Sequence, residues 1–132
     1  MTEASMIRPS TLLAALALSA VLVAGPAAAH QPRVGPHGGA LVDAGAHHHV
    51  ELVADGSPTV TVHLSDLSDA AVPSTGFKAE AILVVDGKPV RFALEPAEPS
   101  RLVGTAPVPV PKGVKGAVRV TGPDGATAQA KF

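Results

Sequence analysis

The sequence predicts an all-β domain, a sandwich of seven or eight short strands. Three observations carry this. Beyond residue 30, Pro and Gly interrupt the chain too often for an apolar repeat of helical period to extend. Short runs of β-type residues recur instead, bounded by Asp-Gly and similar turn signals. Val60, Val62 and Leu64 alternate with Thr61 and His63, the period-two pattern of a strand with one buried face.

The first element is a secretory signal. Arg8 supplies positive charge, Leu12 to Val23 form an uncharged apolar run, Gly25-Pro26 breaks it, and Ala27-Ala28-Ala29 meets the small-residue rule for cleavage. Residues 1–29 are therefore expected to be removed, leaving a single domain at 30–132. The apolar run is shorter than the roughly 20 residues a membrane span needs. The mature protein is expected to be periplasmic or secreted, with no stable membrane span.

Strands are then expected near Ala40–Asp43, His48–Ala54, Thr59–Leu64, Phe77–Val85, Val90–Glu95, Arg101–Thr105, Ala117–Thr121 and Ala126–Phe132. Asp55-Gly56-Ser57, Asp86-Gly87 and Asp124-Gly125 are the turns between neighbours. Pro107, Pro109 and Pro111 mark an extended edge or loop, because Pro cannot donate to a central ladder.

Composition removes several function classes. Ten Lys and Arg balance 11 Asp and Glu, so the chain lacks the basic surface a nucleic-acid binder needs. The absence of Cys excludes disulfides, zinc-thiolate sites and thiol catalysis. Without Trp or Tyr, and with three Phe, the chain has no stacking platform for bases. No nucleophile–base–orienter set can be named, so an enzyme is not expected.

Six His stand out between His30 and His63. In His47-His48-His49-Val50-Glu51-Leu52, alternation turns Val50 and Leu52 to the core. His49 and Glu51 then point outward, with His47 on the same side and His48 with Val50. The next strand must bring core residues opposite core residues, since a one-residue slip reverses every face. Pairing Val50 with Val62 sets His49 opposite His63; a slip of two sets Glu51 opposite His63. Either register gathers His49, Glu51 and His63 on one face, with cross-strand Cβ atoms about 4.5–5.5 Å apart. This is a His/His/carboxylate set within reach of one ion. His47 could add a ligand, and His37, on the turn Pro36-His37-Gly38-Gly39, could fold over it. If cleavage follows Ala29, the imidazole and free α-amino group of His30 form a two-nitrogen chelate suited to Cu(II). With no sulfur among these donors, Zn or Cu(II) is the expected ion and Cu(I) is disfavoured.

Pro36-His37-Gly38-Gly39, followed by Gly45 and His48-His49-Val50-Glu51-Leu52, resembles small periplasmic proteins associated with heavy-metal efflux. Similar segments lie near the start of the periplasmic adaptor subunits of heavy-metal efflux pumps. The matching positions are His37, Gly38, Gly39, His49 and Glu51. The later part, with Gly76, Asp86-Gly87 and the final strands, is similar to immunoglobulin-like periplasmic modules. An aromatic residue is common in such proteins where His63 stands, and an acidic one where His47 stands. The Met-rich cuprous site of some copper carriers is absent, since Met1 and Met6 both precede the cleavage point. The resemblance implies a metal-binding protein or chaperone acting beside an efflux-pump component. The competing expectation is a metal-independent adaptor module with a solvated His cluster.

Overall fold

The structure, a computed structural model, describes residues 32–132. The expected signal segment 1–29 and His30 lie outside the described residues. The strands are β1 (Arg33–Val34), β2 (Ala40–Ala44), β3 (His48–Ala54), β4 (Thr59–Asp66), β5 (Lys78–Val85), β6 (Lys88–Ala97), β7 (Arg101–Thr105), β8 (Lys115–Thr121) and β9 (Thr127–Lys131). Among the described residues there is no helix, and so none long and apolar enough to cross a membrane.

All neighbours pair antiparallel, in the order β1-β2-β3-β4-β7-β6-β5-β8-β9. The all-β expectation holds, but the hydrogen-bonded strands form one continuous curled sheet. The long strand β6 makes the curl. Its first residues pair with β5, and Glu95–Ala97 pair with β7. The curl brings β2 against β9 and encloses Val50, Leu52, Val62, Leu64, Leu83 and Leu102. Truncating a core leucine such as Leu64 to Ala would cost about 2–5 kcal/mol.

The eight expected runs are all strands, with their ends moved by a few residues. β1 was not expected, because two residues carry no periodicity. Turn closure makes it: Gly35 N–H donates to the Gly39 carbonyl at 2.9 Å, folding Arg33 and Val34 back onto Leu41 and Ala40. Asp86 and Gly87 form the expected two-residue hairpin loop, with φ of 50° and 73°, the left-handed pair such a turn requires. The Pro107–Pro111 stretch is a loop, pinned where Val110 N–H donates to Ser57 and its carbonyl accepts from Gly56.

The β3–β4 register is the slipped alternative: Val50 faces Leu64, Glu51 faces His63 and Leu52 faces Val62. The other register would have set Pro58 opposite Ala54, where a residue without N–H cannot serve the ladder. Instead Pro58 joins a longer connection, in which Asp55 Oδ1 accepts from Ser57 N–H at 3.0 Å.

Candidate functional site

The outward face of β2, β3, β4 and β7 carries Leu41, Asp43, His49, Glu51, His63 and Arg101. Two segments cover this face. One is the turn Gly35–Gly39. The other is the loop after β4, held where Asp66 Oδ1 accepts from Ser68 and Ala70 N–H.

Glu51 is the anchor of the first segment and is 1% exposed. Its Oε2 accepts from the backbone N–H of His37 at 2.9 Å and of Gly39 at 2.8 Å. Its Oε1 accepts from His37 Nδ1 at 2.8 Å. Three donors on one buried carboxylate offset the cost of taking a charge out of water. The sequence accommodates this closely. A Cβ on Gly35 would lie 2.3 Å from the Glu51 carboxyl carbon, and one on Gly39 would lie 2.3 Å from the Leu52 carbonyl oxygen. The glycines of this motif therefore let the turn sit directly on the carboxylate.

With Nδ1–H given to Glu51, the neutral His37 ring carries its lone pair on Nε2, while half of its side-chain surface is exposed. The His37 ring stacks on His63, with centroids 3.6 Å apart and planes 2° from parallel. His63 faces Glu51 on β3 and Arg101 on β7. Burial holds its imidazole below the ordinary histidine range. The adjacent His37 and Arg101 push the same way, and Glu51 opposes them. The pair lines a cleft of about 70 Å³ with Leu41, Ser65 and Asp69.

His49 is built differently. It is 7% exposed, its Nδ1 lies 2.8 Å from Asp69 Oδ1, and its Nε2 lies 3.1 Å from Asp43 Oδ1. Both nitrogens thus face carboxylates, so His49 has no free donor for an ion in this arrangement. Asp69 reaches it from the loop after β4, in a left-handed conformation (φ 64°) that Asp tolerates better than most residues. Asp43 lies opposite His49 across β2–β3; the sequence reading did not pair these two strands and missed it. No local signal in the sequence pointed to Asp69.

His49, Glu51 and His63 share a face as the alternation requires, but His49 and Glu51 are buried on it under the two covering segments. His47 is not with them. It lies in the turn between β2 and β3 and lines an apolar cavity of about 650 Å³ beside Phe77, Val120 and Ala128. His48 takes the inner face with Val50 and meets Phe77 edge-on, with ring centroids 5.8 Å apart. Among the described residues, no three His, Asp or Glu side chains are already arranged as an ion site. The structure thus brings together His37, Glu51 and His63, and separates His47 and His49 from that group.

The fit to an ion can be tested on the stack. Around a tetrahedral ion with bonds of 2.0–2.1 Å, two nitrogens lie roughly 3.4 Å apart. The ring spacing in the stack is close to that separation. In parallel rings, however, the lone pairs also run parallel, so the planes must open for both to aim at one point.

No family model, no curated protein and no solved structure matches this chain.

Proposed function

We propose that the protein is a periplasmic binding protein or chaperone for a divalent ion, Zn or Cu(II), serving heavy-metal efflux or resistance. The observation that carries the reading is the Glu51 carboxylate on His37 Nδ1, 2.8 Å away. Metal-ligating histidines commonly give their second nitrogen to a carboxylate, which fixes the tautomer and raises the basicity of the ligating nitrogen. Glu51 is then the positioning residue, and His37 Nε2 and the His63 ring are the donors. This moves Glu51 from ligand to orienter and assigns His49 to holding the loop. If cleavage follows Ala29, the imidazole and α-amino group of His30, outside the described residues, add a further chelate to the same proposal. The Pro36–Gly39 and His49–Leu52 motifs support the link to efflux, and the curled antiparallel sheet is compatible with an immunoglobulin-like module.

A second reading, a metal-independent adaptor module, is favoured by one observation. The three hydrogen bonds on Glu51 explain Gly35, Gly39 and Glu51 as a turn anchor without any ion.

Nitrogen-15 correlation spectra of the histidine rings separate the two readings. The metal reading expects protonated Nδ1 and lone-pair Nε2 at His37, with the His37 and His63 signals shifting first as Zn(II) is added. Unmoved His37 and His63 signals at stoichiometric Zn(II) and Cu(II) would leave the adaptor reading standing.

A further inference from the structure

We infer that the cavity between the β2–β3 and β8–β9 turns is a binding site for a small, uncharged aromatic molecule that carries a hydroxyl group. The cavity lies apart from the His37/His63 edge, and the inference does not rest on the metal reading. Its volume is about 650 Å³, within the roughly 300–1,000 Å³ of small-molecule pockets, which favour the mouths of curled sheets. The space comes from the seam of the fold. β2 lies against β9, but the two share no ladder. Small residues make the seam close: a Cβ on Gly45 would lie 3.1 Å from Ala128 Cβ. Beyond that point the two turns leave a space floored by Val50, Phe77 and Val120, all buried.

The lining selects the chemistry of the ligand. The β8–β9 turn closes on itself: Gly122 N–H donates to the Ala126 carbonyl at 2.9 Å, and Gly125 N–H to the Gly122 carbonyl at 3.0 Å. Asp124 Oδ1 accepts from Ala126 N–H at 3.1 Å, and Thr127 Oγ1 faces Thr121 Oγ1 at 3.3 Å. That wall therefore offers a ligand little polarity. His48 is different. Its ring meets Phe77 edge-on and forms an aromatic corner. Unlike His37 and His49, it has no carboxylate on its nitrogens among the described residues. A neutral imidazole keeps one lone pair for an O–H donor, and His47 stands beside it at the rim. Charge sets the last condition. No Lys or Arg lines the cavity, and Asp124 does, so an anionic ligand would meet a carboxylate with no cation to offset it. An aromatic ring with one hydroxyl fills the corner, donates to an imidazole and brings no charge.

The test titrates the protein with 2-naphthol in chelator and follows the fluorescence of the probe, which a chain with no Trp or Tyr does not mask. The expected result is saturable binding at one molecule per chain. 2-Naphthoate should bind at least about tenfold more weakly, the scale of a lost hydrogen bond beside an uncompensated charge. Ala46→Phe and Ala126→Phe, at exposed lining positions, should each fill the space and remove binding, with circular dichroism confirming that the variants are folded. His48→Ala should weaken binding roughly threefold to tenfold, and His37→Gln should leave it unchanged. Uptake that does not saturate, or saturable binding that survives both filling variants, would overturn the site. Tighter binding of 2-naphthoate would overturn the ligand class. Loss of binding in His37→Gln would also overturn the site, by placing the probe at the other edge.

Discussion

The Glu51 carboxylate holds His37 twice, through the backbone N–H at 2.9 Å and through ring Nδ1 at 2.8 Å. A single buried side chain therefore sets both the path of the Gly35–Gly39 turn and the direction in which the exposed imidazole presents its remaining nitrogen.

Glu51→Ala should strand the N–H groups of His37 and Gly39 without an acceptor, at a cost of about 2–4 kcal/mol. Glu51→Gln keeps one oxygen for those two donors and should cost less. Gly39→Ala drives a methyl group into the Leu52 carbonyl and should cost about 1–3 kcal/mol, as overpacking does. Urea denaturation of the three variants checks the order. A fully stable Glu51→Ala protein would show that the turn does not depend on the carboxylate.

His63 gives a pH dependence. Burial, with His37 and Arg101, lowers its folded pKa below the unfolded value of about 6.5. As pH falls below that value, the unfolded chain takes up the proton before the folded one, so stability is lost. The loss starts near pH 6.5 and continues down through the folded pKa. His63→Gln should flatten that part of the stability curve for metal-free protein and leave the curve above about pH 7 parallel to wild type. Equal slopes for both proteins between pH 5 and 7 would contradict the assignment, because that is where an ordinary histidine titrates.

His49 anchors the loop after β4 through Asp69. Asp69→Ala should free that loop and raise hydrogen exchange at Ala70 and Val72, whose N–H groups bond back to Asp66 and Leu64. The global cost should stay near 1 kcal/mol, because the carboxylate is more than half exposed and screened by water. Asp43→Ala should leave the loop protected, since Asp43 lies on β2. Equal exchange in both variants would argue against the His49–Asp69 contact as the anchor.

Much of the fold was legible because strand signals are local. Alternation in Val60–Leu64, the Asp86-Gly87 turn and the inward Val50 and Leu52 each constrain only a few neighbouring residues. The curl was not legible, since it depends on β6 leaving β5 for β7 within one unbroken strand. The shared face of Glu51 and His63 followed from the core pattern. Burial of that face did not, because it is created by backbone that folds over it from residues 35–39 and 66–71. Pattern likewise could not divide the histidines between those with a free nitrogen and those whose nitrogens face carboxylates. Asp69 reaches His49 from 20 residues away, and only the folded chain brings them together.

The central claim is that His37, oriented by Glu51, presents a metal-binding nitrogen. Calorimetric titration with Zn(II) near neutral pH tests it most directly, using wild type, Glu51→Gln, His37→Gln and His48→Ala. In Glu51→Gln the introduced amide can donate to His37 Nδ1, which moves the ring proton to Nε2 and removes the donor. The account predicts that wild type and His48→Ala bind alike, that His37→Gln loses binding, and that Glu51→Gln, though folded, binds at least about tenfold more weakly, the scale of outer-shell losses at metal sites. Wild-type affinity in both His37→Gln and Glu51→Gln would contradict it.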